Sequence, residues 1–171
     1  MALSGACEDA PEAREELHRG AIRTAAGALI VGYNRLLLTH CGSARGEWYS
    51  APGGGQVEGE RLPETLIREC REEIGAEVQV GPLRYVRDYI ARNHDFSYLD
   101  EAAHQLELFF ECRIPADYRA QNGPSPDTHQ LGVIWADAQM LGSLRVFPAR
   151  LGDVLGPDAG SGLPVYWGDG D

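Results

Sequence analysis

At 171 residues the chain is the size of one domain, large enough to bury about two-thirds of the surface that its unfolded form exposes. Hydrophobic residues make up 43% and charged residues 24%, without repeats or low-complexity blocks, which excludes a fibrous or wholly disordered chain. A formal net charge of -11 argues against extended nucleic acid and anionic membranes as partners, and leaves a small anionic substrate only if a cation stands between it and the protein.

The first 20 residues are acidic, with a weak helical pattern over 12–18, and are read as a flexible N-terminal arm; residues 21–171 form the single domain. Runs over 22–31 and 35–40 flank Gly32-Tyr33-Asn34 and read as a β-hairpin. A third short strand, 48–51, enters Pro52-Gly53-Gly54-Gly55, read as a strand-to-loop exit where backbone packs closely. A helix follows, with Pro63 in its first turn, where a missing N–H does no harm, and Gly75 at its end. Its stripe is Leu62, Leu66, Ile67, Cys70 and Ile74, with Glu64, Arg68 and Arg71 facing away. Beyond it, 77–80, 83–91 and 104–114 look extended, the last alternating like a half-buried strand. A Pro/Asn/Gly-rich loop, 115–128, leads to a strand at 132–135, a helical region from 137 to about 155 and a closing strand at 163–167. This order predicts an α+β fold with a mixed sheet sandwiched between helices.

The helix carries the chemistry. Glu69, Glu72 and Glu73 stand at i, i+3 and i+4, with Cβ atoms about 5–6 Å apart at the border of the apolar stripe. At an effective dielectric near 20 each like-charge pair costs on the order of 3 kcal/mol, and a bound divalent cation reverses that sign. A randomly acidic surface helix is the competing reading, and the context of the three residues argues against it.

The stretch 54–76 resembles the signature of the Nudix hydrolases, with Gly54, Glu60, Arg68, Glu69, Cys70, Glu72, Glu73, Gly75 and Ala76 in register. Every polar position matches; Cys70 and Ala76 stand where larger aliphatic residues are usual. The resemblance implies the Nudix fold and metal-dependent hydrolysis of the pyrophosphate of a nucleoside diphosphate linked to another moiety: a nucleotide sugar, ADP-ribose or a modified nucleoside triphosphate. It implies Mg²⁺ or Mn²⁺ held by Glu72, Glu73 and the Gly53 carbonyl, with Glu69 as a further ligand or general base. Gly54, Glu60, Arg68 and Gly75 support the site, Glu60 and Arg68 as an ion pair that ties loop to helix. A distal acid is usual just before the strand ending here at Trp135, but 131–134 contains none, so Glu107, Glu111 and Asp127 are the candidates.

The proline that marks many ADP-ribose enzymes has no match near Arg92, nor has the tyrosine of many dinucleoside polyphosphate enzymes at Asn93 or His94. The competing class is a non-catalytic Nudix-fold nucleotide sensor, which usually loses box glutamates; all are present here. A calcium-binding structural protein would need an Asp-x-Asp-x-Asp-Gly loop, which is missing. His40, His94 and His104 read as structural, and Tyr85, Tyr89, Phe96, Tyr98 and Trp135 as core more readily than as base-stacking groups. Four dispersed cysteines, Cys7, Cys41, Cys70 and Cys112, with no leader-like stretch ahead of them, point to reduced thiols and a cytoplasmic location. A homodimer and a monomer are equally compatible with the sequence.

Overall fold

The computed structural model describes residues 21–99, 101–156 and 162–170; the N-terminal arm and its helical pattern lie outside them. The first hairpin joins β1 (Arg23–Gly32) to β2 (Arg35–Ser43). Its turn is two residues long: Tyr33 and Asn34 both take positive φ, 52° and 58°, the primed geometry that follows the right-handed twist of the strands. Gly32, expected in the turn, instead pairs with Arg35. Strand β3 (Gly46–Ser50) continues antiparallel along β2.

Gly53–Gly55 is a strand, β4, not the loop expected from its glycines: Ala25, Ala26 and Gly27 of β1 pair with Gly55, Gly54 and Gly53. Helix α1 (Leu62–Ile74) follows. Its first turn is closed by Glu64, whose carboxylate accepts the Arg61 N–H at 2.8 Å, and its end is capped by Gly75 in the left-handed conformation. The two extended segments expected after it are one strand, β5 (Gln79–Ile90), with register breaks between Val80 and Tyr85. Pro82 lacks a ladder donor, and a bulge absorbs it without ending the strand. Two 3₁₀ turns, Ala91–Asn93 and Asp95–Tyr98, lead towards β6 (His104–Arg113), and β7 (Gln130–Asp137) comes after the long loop.

The seven strands follow the path β3-β2-β1-β6-β5, with β4 on β1 and β7 on β2. β1 and β6 run parallel; the other pairs are antiparallel. β1 and β2 pair only at the hairpin end, so the sheet forks into β4-β1-β6-β5 and β3-β2-β7. Leu66, Cys70 and Ile74 of α1 pack on Ala26, Ala28 and Ile30 of β1, with Leu62 and Ile67 at the margin. On the other side Leu29 joins Leu36, Leu38, Phe109, Leu151 and Trp167. β1 is therefore buried on both faces, which explains its nearly unbroken apolar run. β6 is likewise covered on both sides, by Cys112 and Phe110 towards α1 and Phe109 opposite, and is not the half-exposed strand that its alternation suggests.

Two expectations near the C-terminus need correction. The helix over 137–155 is only a one-turn α2 (Ala138–Leu141) and a 3₁₀ segment, Ala149–Leu155. Pro148 disfavours helix at the residue before it, and the intervening chain runs extended beside β3, with Tyr49 N–H donating to Arg145 O and Phe147 N–H to Tyr49 O. The closing strand at 163–167 reduces to one bridge, Val86 to Tyr166. The mixed sheet covered by helix is the α+β architecture expected. Among the described residues no helix is long and apolar enough to cross a membrane.

Candidate active site

The site is built where β4 runs past the middle of α1. Gly53 has φ +146°, and a Cβ there would overlap the Ala26 carbonyl oxygen, so only glycine lets β4 lie this close to β1. The Gly53 N–H donates to Glu73 Oε2 at 2.8 Å, and the Glu69 carboxylate fills the space where a side chain on Gly54 would begin. Strand and helix thus interlock through the residues that the signature specifies.

Arg68 ties the assembly together. Its Nε and Nη2 donate to the two oxygens of Glu60 at 2.7 and 3.0 Å, Nη2 also to Gly55 O at 3.1 Å, and Nη1 to Glu69 Oε1 at 2.6 Å and Glu72 Oε2 at 3.3 Å. Glu60 accepts further bonds from Thr65 Oγ1 and Val57 N–H. Those bonds, that from Arg68 foremost, hold the Glu60 carboxyl down to about 2.

Glu73 is the opposite case. It is buried, its carboxyl is pushed up to about 9 by burial, and the Gly53 N–H opposes this only in part, while the charges of Asp127 and Glu69 add to it. Burial likewise raises Glu69, against the opposing pull of Arg68.

Asp127 reaches this cluster through the loop between β6 and β7, which docks on the last turn of α1. Ser125 N–H donates to Glu72 O, Gly123 N–H to Glu73 O and Tyr118 Oη to Ile74 O, at 3.0, 2.8 and 2.9 Å. These are carbonyls that a helix end leaves without intrahelical partners. Gln130 Nε2 adds a second bond to Glu73 O at 2.7 Å. A Cβ on Gly123 would meet the Glu72 carbonyl and stand 2.6 Å from Gly75 N, so glycine is required for the approach. Gln130 and Gly123 were not singled out in the sequence; the Asn122-Gly123 turn dipeptide is the signal that marks the docking point.

Of the three acids considered as distal partners, only Asp127 stands beside Glu73. Glu107 pairs with fully buried Arg87 at 3.1 Å and lines a neighbouring cleft. Glu111 pairs with Arg84 and lines a separate cavity of about 490 Å³ on the β5 side. His94 is held by Asp169 and stacks on Tyr89, His40 pairs with Glu47, and Tyr85 stacks on Trp167 in the core.

Whether these residues suit a divalent cation turns on donor chemistry and charge. Among the described residues no three His, Cys, Asp or Glu side chains are closed around one point, and Glu69 and Glu72 are turned towards Arg68. The donor set is nevertheless all hard oxygen, and burial, with the charges of Asp127 and Glu69, disfavours the ionised form of Glu73 unless a cation is bound. The fit is to a hard divalent cation rather than to a soft metal.

The family model of the NUDIX domain matches residues 21–152. The chain belongs to the Nudix family. Solved structures agree in fold: a NUDIX hydrolase from Nitrosomonas europaea, 17% identical, aligns with TM-score 0.63 over 88% of this chain and 79% of its own. An ADP-ribose pyrophosphatase from Streptococcus suis, 16% identical, gives 0.59 over 87% and 100%. A MutT NUDIX hydrolase from Burkholderia pseudomallei, 19% identical, gives 0.59 over 77% and 95%. No curated protein matches the sequence.

Proposed function

We propose that the chain is a pyrophosphohydrolase that uses a divalent metal ion to cleave the pyrophosphate of a nucleoside diphosphate linked to another moiety. The observation that carries this reading is the charge-deficient carboxylate cluster, with buried Glu73 fixed on the Gly53 N–H and Asp127 and Glu69 against it. Glu69, Glu72, Glu73 and the Gly53 carbonyl would hold the ion, with Asp127 as the distal acid. When bound, Mg²⁺ or Mn²⁺ neutralises phosphate oxygens and lowers the pKa of water.

The remaining chemistry belongs to the chain. Glu69, which burial raises from its ordinary value, would accept the proton of the attacking water as general base. Arg68 spends its donors on Glu60, Gly55 O, Glu69 and Glu72, and so fixes the geometry of the cluster. The diphosphate would lie over Gly53, where two clefts meet.

The test is product release from a panel of nucleotide sugars, ADP-ribose and modified triphosphates with Mg²⁺, with Mn²⁺ and with chelator. Metal-dependent cleavage of one of these compounds is expected. Tight nucleotide binding without turnover under any condition would overturn the reading in favour of a sensor.

A further inference from the structure

The two clefts share the wall formed by Trp48, Ser50, Ala51 and Gly53. The larger, about 460 Å³, contains Glu73, Asp127 and His129. The smaller, about 200 Å³, passes over Gly53 and Gly54 to Gln105, Glu107, Phe109 and Phe147. For a protein that handles phosphate, the smaller lining is unusual in charge. Among the described residues its one ionisable side chain is acidic, Glu107, and it contains no Lys, Arg or His. Arg23, whose guanidinium packs over Gly55, lies outside both linings.

Glu107 is placed firmly. It pairs in register with Arg87 of β5, whose side chain is fully buried and donates from Nη1 to Glu107 Oε2 at 3.1 Å. The Arg87 guanidinium packs against the Phe147 ring, 4.5 Å from its centre. The Glu107 side chain lines the cleft and keeps 18% of its surface exposed, and a carboxylate has acceptor capacity beyond one bond. Burial raises the Glu107 carboxyl and the Arg87 pair opposes this; in its ionised form it accepts hydrogen bonds and repels phosphate.

We infer that Glu107 is a specificity-determining residue: it accepts a hydrogen bond from an uncharged O–H or N–H group of the substrate and turns away a terminal phosphate. The chain then acts on diphosphates capped at both ends and discriminates against nucleoside triphosphates whose free phosphate would meet Glu107 in the smaller cleft. This deepens the proposed hydrolase and rests on it. The donor on the cap comes either from sugar hydroxyls or from the amino edge of a base, and the carboxylate reads both in the same way.

The experiment compares kcat/KM for UDP-glucose and UTP in the wild type and in E107Q. At least a 10-fold preference for UDP-glucose is expected, falling at least 10-fold in E107Q, where the cleft loses its carboxylate charge. The paired variant Arg87→Met with Glu107→Gln removes both charges, gives an intermediate ratio and serves if the single variant does not fold. A structural role alone would lower both substrates together and leave the ratio unmoved; that result, or UTP cleaved as well as UDP-glucose by the wild type, overturns the inference.

ADP-glucose and GDP-glucose vary the base, and UDP-2-deoxyglucose removes a hydroxyl. An E107Q effect on the base ranking assigns an N–H donor, and loss of the penalty for the missing hydroxyl assigns an O–H donor. If nothing is hydrolysed, the hydrolase reading fails separately, and calorimetric titration of metal-free protein decides the cleft. Tighter binding of UDP-glucose than UTP, reversed in E107Q, supports the inference; equal or opposite affinities sink it.

Discussion

The carboxylates gathered around α1 fall into two sets that behave in opposite ways. Glu60, on the loop, shares both oxygens with Arg68 and is held down to about 2. Glu73, on the helix, is buried with one backbone N–H and two acidic neighbours, and is pushed up to about 9, foremost by burial. The same functional group is compensated in one place and left in deficit in the other. Compensation marks the residue that holds the loop; deficit marks the residue that wants a cation. Arg68 links the two sets by also holding Glu69 and Glu72, so the balance of charge along this helix depends on one guanidinium.

The contrast is broken most severely by Glu73→Gln. Its amide oxygen still accepts the Gly53 N–H, so folding is retained while kcat with Mg²⁺ falls by on the order of 10³-fold, the scale of losing one charge-stabilising group at a reacting centre. Steady-state kinetics alongside thermal melts check both halves; unchanged turnover in a folded variant would remove Glu73 from the site.

Arg68→Ala removes the link instead. Stability falls by about 2 kcal/mol and activity falls with it, because Glu60, Glu69 and Glu72 are left to repel one another. Urea titration of this variant at low and high salt shows the loss, which shrinks as salt screens the repulsion.

Gly123→Ala removes no carboxylate but forces the docking loop off the end of α1, costing about 1–3 kcal/mol. Metal affinity measured by calorimetry drops with it as Asp127 moves away. An unchanged affinity would mean that Asp127 is not a ligand.

Acidity separates the two sets without mutation. Glu73 has a folded pKa above the ordinary 4.5, so the metal-free protein loses stability as pH rises from about 4.5 to about 9. Glu60 has a folded pKa below it, so its contribution is present above about 4.5 and disappears as pH falls towards about 2. Melts from pH 2 to 9 should show both limbs. Glu73→Gln flattens the upper limb and Glu60→Gln the lower one. The smallest effect belongs to Glu111→Gln: its pair with Arg84 is solvent-exposed, and less than about 1 kcal/mol and no activity should be lost.

What could be read from the sequence follows the range of the interactions. Helix α1 was legible because its stripe, its Pro63 and its Gly75 are local signals, and the three glutamates came with it. The hairpin at Tyr33-Asn34 was legible for the same reason. β4 was not: three glycines have no strand preference, and only the approach of β1 makes them pair. The helix expected over 137–155 failed where Tyr49 offered Arg145 and Phe147 backbone partners from β3. Asp127 stood among three candidate acids until the docked loop separated it from Glu107 and Glu111. Glu107 was legible only as a candidate distal acid; its place in the smaller cleft was not, because its buried partner Arg87 lies on another strand.

The parallel pairing of β1 with β6 bears on the order in which the molecule can be made. β4 holds the Gly53 wall, β1 holds β4, and β6, encoded well after the helix, holds β1 from its other edge. Pairings this distant along the chain give a high contact order and slow folding. During synthesis the signature peptide therefore leaves the ribosome before the strand that secures its wall, and a chain stopped ahead of β6 carries every residue of the motif without the framework that gives them their chemistry.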